Sequence, residues 1–149
     1  MSISSSIDLK FVDKYNYHNS YWTIINTLRN NGWKIFDERK VFYLPLGDDD
    51  DYDWRLEELT VDELKVIIDE KEKNSEIVGI MLTWQNTKIG GDLLIFNSNK
   101  VSLNITVNKK FINDDNSTRL IDINWYVEKL IPCLLEHYAI EQISFQQNY

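Results

Sequence analysis

The stretch IVGIMLTWQNTKIGGDLLIFNSNKVSLNITV, residues 77–107, decides the fold. Its first part, 77–84, is a strand-sized apolar run bounded by turn material at 85–91. A second strand follows at 92–96. A third contains Val101, Leu103, Ile105 and Val107, whose strict alternation with polar residues predicts one buried face. Parallel neighbours need a crossover of about a dozen residues or more, usually a helix, and no such segment lies between these strands. They read as hairpin-linked and antiparallel, which argues against a doubly wound parallel fold. Gly90-Gly91 reads as a turn permitting positive φ, not as a phosphate loop, because a strand rather than a helix follows it.

Working outward, Ile7, Leu9 and Phe11 alternate with polar residues as a short strand. From Ser20, the positions Tyr21, Ile24, Ile25 and Leu28 keep a helical period, and Asn30-Asn31-Gly32 supplies the stop. Residues 33–36 and 41–44 read as strands around the polar turn Asp37-Glu38-Arg39-Lys40. Thr60-Val61-Asp62-Glu63 is a capping-box signature, followed by a helix face of Leu64, Ile67 and Ile68 that ends near Lys73-Asn74. A last helix spans about 122–138, with Trp125, Leu130, Leu134 and Leu135 inward and Pro132 expected to kink or interrupt it. Ile143 and Phe145 add a terminal strand. The prediction is an α+β fold, a single domain over residues 1–149, with a largely antiparallel sheet of about five to six strands and about three helices.

The 149 residues are 43% hydrophobic and carry 16 Lys+Arg against 24 Asp+Glu, a net charge of −8. That balance argues against direct binding of nucleic acid or an anionic membrane, since phosphate affinity comes from Lys and Arg. The single cysteine, Cys133, excludes an intramolecular disulfide and a Cys-rich zinc module. The N-terminal residues lack the basic and apolar regions of a signal peptide, and no run is long enough for a membrane helix. The expected location is cytoplasmic.

The charge sits in one block. Segment 47–76 holds 13 acidic and 4 basic residues, a net of −9, while the rest of the chain is +1. An EF-hand is rejected: with Asp49, Asp51 and Asp53 as the first three ligands, Trp54 falls where Gly is needed and Thr60 where Glu is needed. A solubilising run would complement the following helix dipole, but it has no need of Tyr52 and Trp54 among the acids. Aromatics that anchor beside acids that orient fit a docking surface for a basic partner. Its contact residues are Asp48, Asp49, Asp50, Asp51, Tyr52, Asp53, Trp54, Glu57 and Glu58. Trp22, Trp33, Trp84 and Trp125 lie in regular elements and read as core, leaving Trp54 as the exposed aromatic.

No catalytic constellation emerges, and no cofactor or metal is called for. Cys133 and His137 share a helical face, but Cys133 lies among Ile131, Leu134 and Leu135 and reads as a small core residue. His137 suits a helix C-terminus, and His18 a surface or capping position.

From Tyr43-Leu44-Pro45-Leu46-Gly47-Asp48 through Trp54, and from Gly79-Ile80 through Gly90-Gly91-Asp92, the chain resembles a bacterial toxin-immunity protein. The type is the immunity (antitoxin) partner of contact-dependent growth inhibition or other polymorphic toxins. The likeness is one of kind: a small, acidic, aromatic-rich α+β domain without an enzyme motif, to which no family residue transfers. It implies a non-enzymatic cytoplasmic inhibitor that binds a cognate toxin domain and covers its active site or substrate surface, and the net charge of −9 over segment 47–76 makes a basic nuclease the expected target. The rivals are a nucleic-acid mimic that inhibits a DNA-binding protein, a small enzyme using acidic residues with a divalent ion, and an adaptor whose partner binds a sheet edge.

Overall fold

The computed structural model describes residues 3–12, 20–113 and 119–149. In chain order the elements are β1 (Ser4–Phe11), α1 (Tyr21–Asn30), β2 (Trp33–Lys34), β3 (Lys40–Tyr43), β4 (Arg55–Glu58), α2 (Val61–Lys73), β5 (Val78–Trp84), β6 (Gly90–Asn97), β7 (Lys100–Val107), α3 (Ile123–Leu135) and β8 (Ile140–Asn148). His18 lies outside the described residues. The strands form one sheet in the order β4-β3-β5-β6-β7-β1-β8, with β2 also pairing β5. Every pairing is antiparallel. Among the described residues the architecture is thus α+β with 3 helices, as the sequence predicts, but the sheet has 8 strands rather than five to six.

Part of the excess is β4, in a region that reads as acidic loop. Leu56 is the sole apolar residue of its four, so no alternation announces a strand. It forms by zipping along β3, from Lys40 opposite Glu58 to Tyr43 opposite Arg55. Conversely, the strand expected at 33–36 contracts to two residues, which pair with Trp84 and Thr83.

The helix starts follow local chemistry. The Ser20 hydroxyl accepts from the Thr23 amide at 3.1 Å. In the capping box, Thr60 Oγ1 accepts from the Glu63 amide and Glu63 Oε1 from the Thr60 amide, each at 3.1 Å. Pro132 does not interrupt α3. It lies on the exposed side three residues before the helix end, where the Glu128 carbonyl that loses its amide partner is open to water. Leu135, expected inward, is 57% exposed, because the buried stripe runs through Tyr126, Leu130 and Leu134 at four-residue steps.

All three helices cover one face of the sheet. Ile7, Leu9, Val78, Ile80, Leu82, Leu93, Ile95, Val101 and Leu103 pack there with Ile24, Ile25, Leu28, Leu64, Ile68, Tyr126 and Leu130 in one cluster. Trp33 is buried with its indole N–H donating to the Lys129 carbonyl at 3.0 Å, and Trp22 joins the core; Trp84 and Trp125 are half-buried against it. The alternate strand residues, among them Phe42, Gly79, Met81, Asp92, Leu94 and Ser102, belong to the opposite face, called here the open face.

Gly90 and Gly91 are not a positive-φ turn. They belong to β6, where the register against β7 shifts between Gly90 and Asp92, and neither has a positive φ. What they permit is close backbone approach: a Cβ on Gly90 would meet the Leu82 carbonyl oxygen, and one on Gly91 that of Asn104. Gly91→Ala is therefore expected to destabilise by about 3 kcal/mol or more, because a backbone clash cannot relax by a rotamer change. Urea unfolding measures it, and a loss under about 1 kcal/mol would show that the bulge yields.

Candidate docking surface

Segment 44–54 leaves β3, crosses to the open face and returns as β4. Its entry is held by the Leu44 amide donating to the Gly79 carbonyl at 3.0 Å. A Cβ on Gly79 would lie 2.7 Å from Leu44 Cδ1 and 2.8 Å from Trp54 Cη2. Glycine at this position lets both side chains rest on the sheet. Trp54 also stacks on Phe42, with ring centroids 5.3 Å apart and planes at 24°. The exposed aromatic of the sequence reading is thus half-buried, with one ring face committed within the protein.

The acidic residues of this segment divide into two sets. Asp48 is buried. One of its oxygens accepts from the amides of Asp51 and Tyr52, each at 3.1 Å, and the other from Asp53 at 2.7 Å. A carboxylate receiving successive amides fixes the backbone around itself. That ring also accommodates Tyr52 at φ 55. Asp49 Oδ1 accepts from the Ile77 amide at 3.0 Å. Glu57 accepts from the Tyr43 hydroxyl at 2.8 Å and lies 3.9 Å from Arg55. Asp50, Asp51, Asp53 and Glu58 are exposed, with Tyr52 43%, Leu46 51% and Leu56 60% exposed. Of the nine residues predicted to make contact, Asp48 is thus turned inward, Asp49, Trp54 and Glu57 have structural partners, and Asp50, Asp51, Tyr52, Asp53 and Glu58 face outward.

A residue the sequence reading passed over holds this arrangement. Lys71 of α2 is completely buried. Its ammonium donates to the carbonyls of Pro45 and Asp48, each at 2.7 Å, and to Glu76 Oε1 at 3.3 Å. Glu76 Oε1 in turn accepts from the Gly47 amide at 2.7 Å. The available signal was periodicity: Leu64, Ile68 and Lys71 are the buried residues of α2, so the lysine occupies a core position of the helical stripe. Removing one partner of a buried pair costs about 3–5 kcal/mol, because the remaining polar groups lose both partner and water. Lys71→Met should approach that loss in urea unfolding, whereas Lys65→Met, which removes an exposed pair with Asp69, should change stability by less than about 1 kcal/mol.

The sites considered for chemistry are occupied by structure. Burial pushes the Cys133 thiol up to about 11, and the thiol donates to the Leu130 carbonyl at 3.0 Å. A nucleophilic cysteine needs the opposite shift. His137 is exposed and meets the Tyr138 ring edge-on at 6.5 Å. On the open face, burial raises the Asp92 carboxyl, partly offset by a hydrogen bond with Thr106. Among the described residues, no three His, Cys, Asp or Glu side chains form a group able to hold a metal ion. Burial, followed by the bond to Glu57 and its charge, raises the Tyr43 hydroxyl to about 12.

Cys133 and Tyr43 both keep their protons to higher pH in the folded chain, against ordinary values of 9.0 and 10.0. Above those values the unfolded chain binds fewer protons than the folded one, so stability falls as pH rises. Their contribution is complete below about pH 9 and declines through about 12. Urea midpoints should drop across this window, and less steeply in a Tyr43→Phe, Cys133→Ala double variant. An equal slope in the variant would assign the alkaline loss to other groups.

Comparisons with protein families, with curated proteins and with solved structures find no match to this chain. Among the described residues, no helix is long and apolar enough to cross a membrane.

Proposed function

We propose that the protein is an immunity-type inhibitor: a cytoplasmic, non-enzymatic chain that binds a basic toxin domain, such as a nuclease, through the acidic surface around β4. The observation that carries this reading is the fixed geometry of the loop. Asp48 and Lys71 hold its backbone from the inside, while Asp50, Asp51, Tyr52 and Asp53 are turned out. A loop ordered before binding loses little further entropy on association, and its field is held at one orientation to a basic partner. Tyr52, Leu46 and Leu56 supply apolar contact area beside the carboxylates. The inward turn of Asp48 and the internal partners of Asp49, Trp54 and Glu57 narrow the contact set to Asp50, Asp51, Tyr52, Asp53 and Glu58, with Leu46 and Leu56 added.

The natural partner to assay is a basic C-terminal domain encoded by the neighbouring reading frame. Co-expression with this chain should restore growth to cells making that domain. The triple variant Asp50→Asn, Asp51→Asn, Asp53→Asn leaves the Asp48 ring and Lys71 in place. It should slow association about 10-fold or more at low salt and flatten the salt dependence. Unchanged association would overturn the acidic-loop interface, and failure to bind or protect would overturn the inhibitor reading itself.

A further inference from the structure

The sheet ends at β4 on one side and at β8 on the other, and the two edges differ in kind. β4 lies inside the acidic segment. β8 is 9 residues long, and among the described residues its strand pairing is with β1 alone. Natural edge strands are ordinarily blunted by lysine, proline, bulges or shortness. β8 has one such device, at its start: the register against β1 shifts between Lys10 and Phe11, leaving Glu141 as the extra residue. Glu141 is also the strand's one charged residue, in a 3.8 Å pair with Lys10. Beyond it, residues 142–148, QISFQQN, keep an unbroken register with no charge, proline or glycine. Ile143 is 46% exposed along this edge.

We propose that the chain forms a twofold homodimer in which β8 pairs antiparallel with β8 of a second copy, joining two sheets into one. A twofold interface must be self-complementary, and this strand is. The register that overlaps all of 142–148 sets Phe145 opposite its own copy, Ile143 opposite Gln147 and Ser144 opposite Gln146, so no like charges meet. The net charge of −8 would keep copies apart at a face that includes segment 47–76. At this edge, β1 and β8 together hold only Asp8, Lys10 and Glu141. β4 lies six strand positions away, roughly 30 Å at about 4.8 Å per step. That is more than three Debye lengths at physiological salt, about 8 Å each. The twofold axis is perpendicular to the sheet, so both helical layers share a side and both acidic edges stay outermost.

Sedimentation velocity across a concentration series tests the dimer. The full chain should shift from monomer to dimer as concentration rises. Ile143→Lys and Gln146→Lys each place a charge on the pairing edge at an outward-facing position, and should weaken the dimer about tenfold or more with an unchanged circular dichroism spectrum. Hydrogen exchange of the unaltered protein gives an independent reading, since amides within 142–148 should gain protection as concentration rises. A wild-type chain that stays monomeric, a dimer insensitive to both lysine variants, or protection independent of concentration would each overturn the proposal.

Discussion

The buried ammonium of Lys71 is the constraint on which the acidic half of the molecule depends. It donates to two carbonyls of the loop after β3 and to Glu76, joining the loop, α2 and the approach to β5 at one point. A lysine with no exposed surface is costly to desolvate, and only full pairing makes the burial tolerable. The groups that satisfy it are therefore fixed in turn. Because the Asp48 carbonyl is one acceptor, the Asp48 side chain is placed to collect the amides of Asp51, Tyr52 and Asp53. One interaction inside α2 thereby sets which carboxylates face water outside β4.

What was legible in the sequence was mostly local. Strands β5 and β7 and the starts of α1 and α2 rest on apolar runs, helical period, alternation and capping within a few residues and appear where those signals place them, while β6 starts two residues early, at Gly90. β4 was illegible because its pairing is set by β3 rather than by its own apolar pattern. Gly90-Gly91 misled because a glycine pair signals freedom of φ and also absence of Cβ, and here the second property is the one required. At the site, the charge count located the acidic block but could not sort it. Asp48 and Asp50 are the same residue type two positions apart, and only the amide ring around Asp48 separates scaffold from surface.

The open face joins the acidic loop to the sheet. Phe42, Trp54, Leu44 and Gly79 form a packed seat beneath the loop, and Leu94 lies opposite Gly79 in the next strand. Farther across, the same face becomes polar at Ser102 and Asp8, which hydrogen-bond to each other. The apolar part thus coincides with the part the loop covers. An antiparallel sheet can leave one face to water, provided that face is polar or covered.

Magnitudes explain why so acidic a loop can hold one shape. Exposed like charges about 6 Å apart repel by about 0.7 kcal/mol in water, and salt reduces that further. Against a few such terms stand the three amide bonds to Asp48 and the buried Lys71 network. Hydrogen bonds to a charged group contribute about 1.5–3 kcal/mol each, and disruption of a buried pair costs about 3–5 kcal/mol. The internal terms exceed the repulsion several-fold. The carboxylates can therefore be concentrated on one edge without unfolding the loop, and their field points in a direction set by the fold. A flexible acidic tail of equal charge would have no such fixed direction.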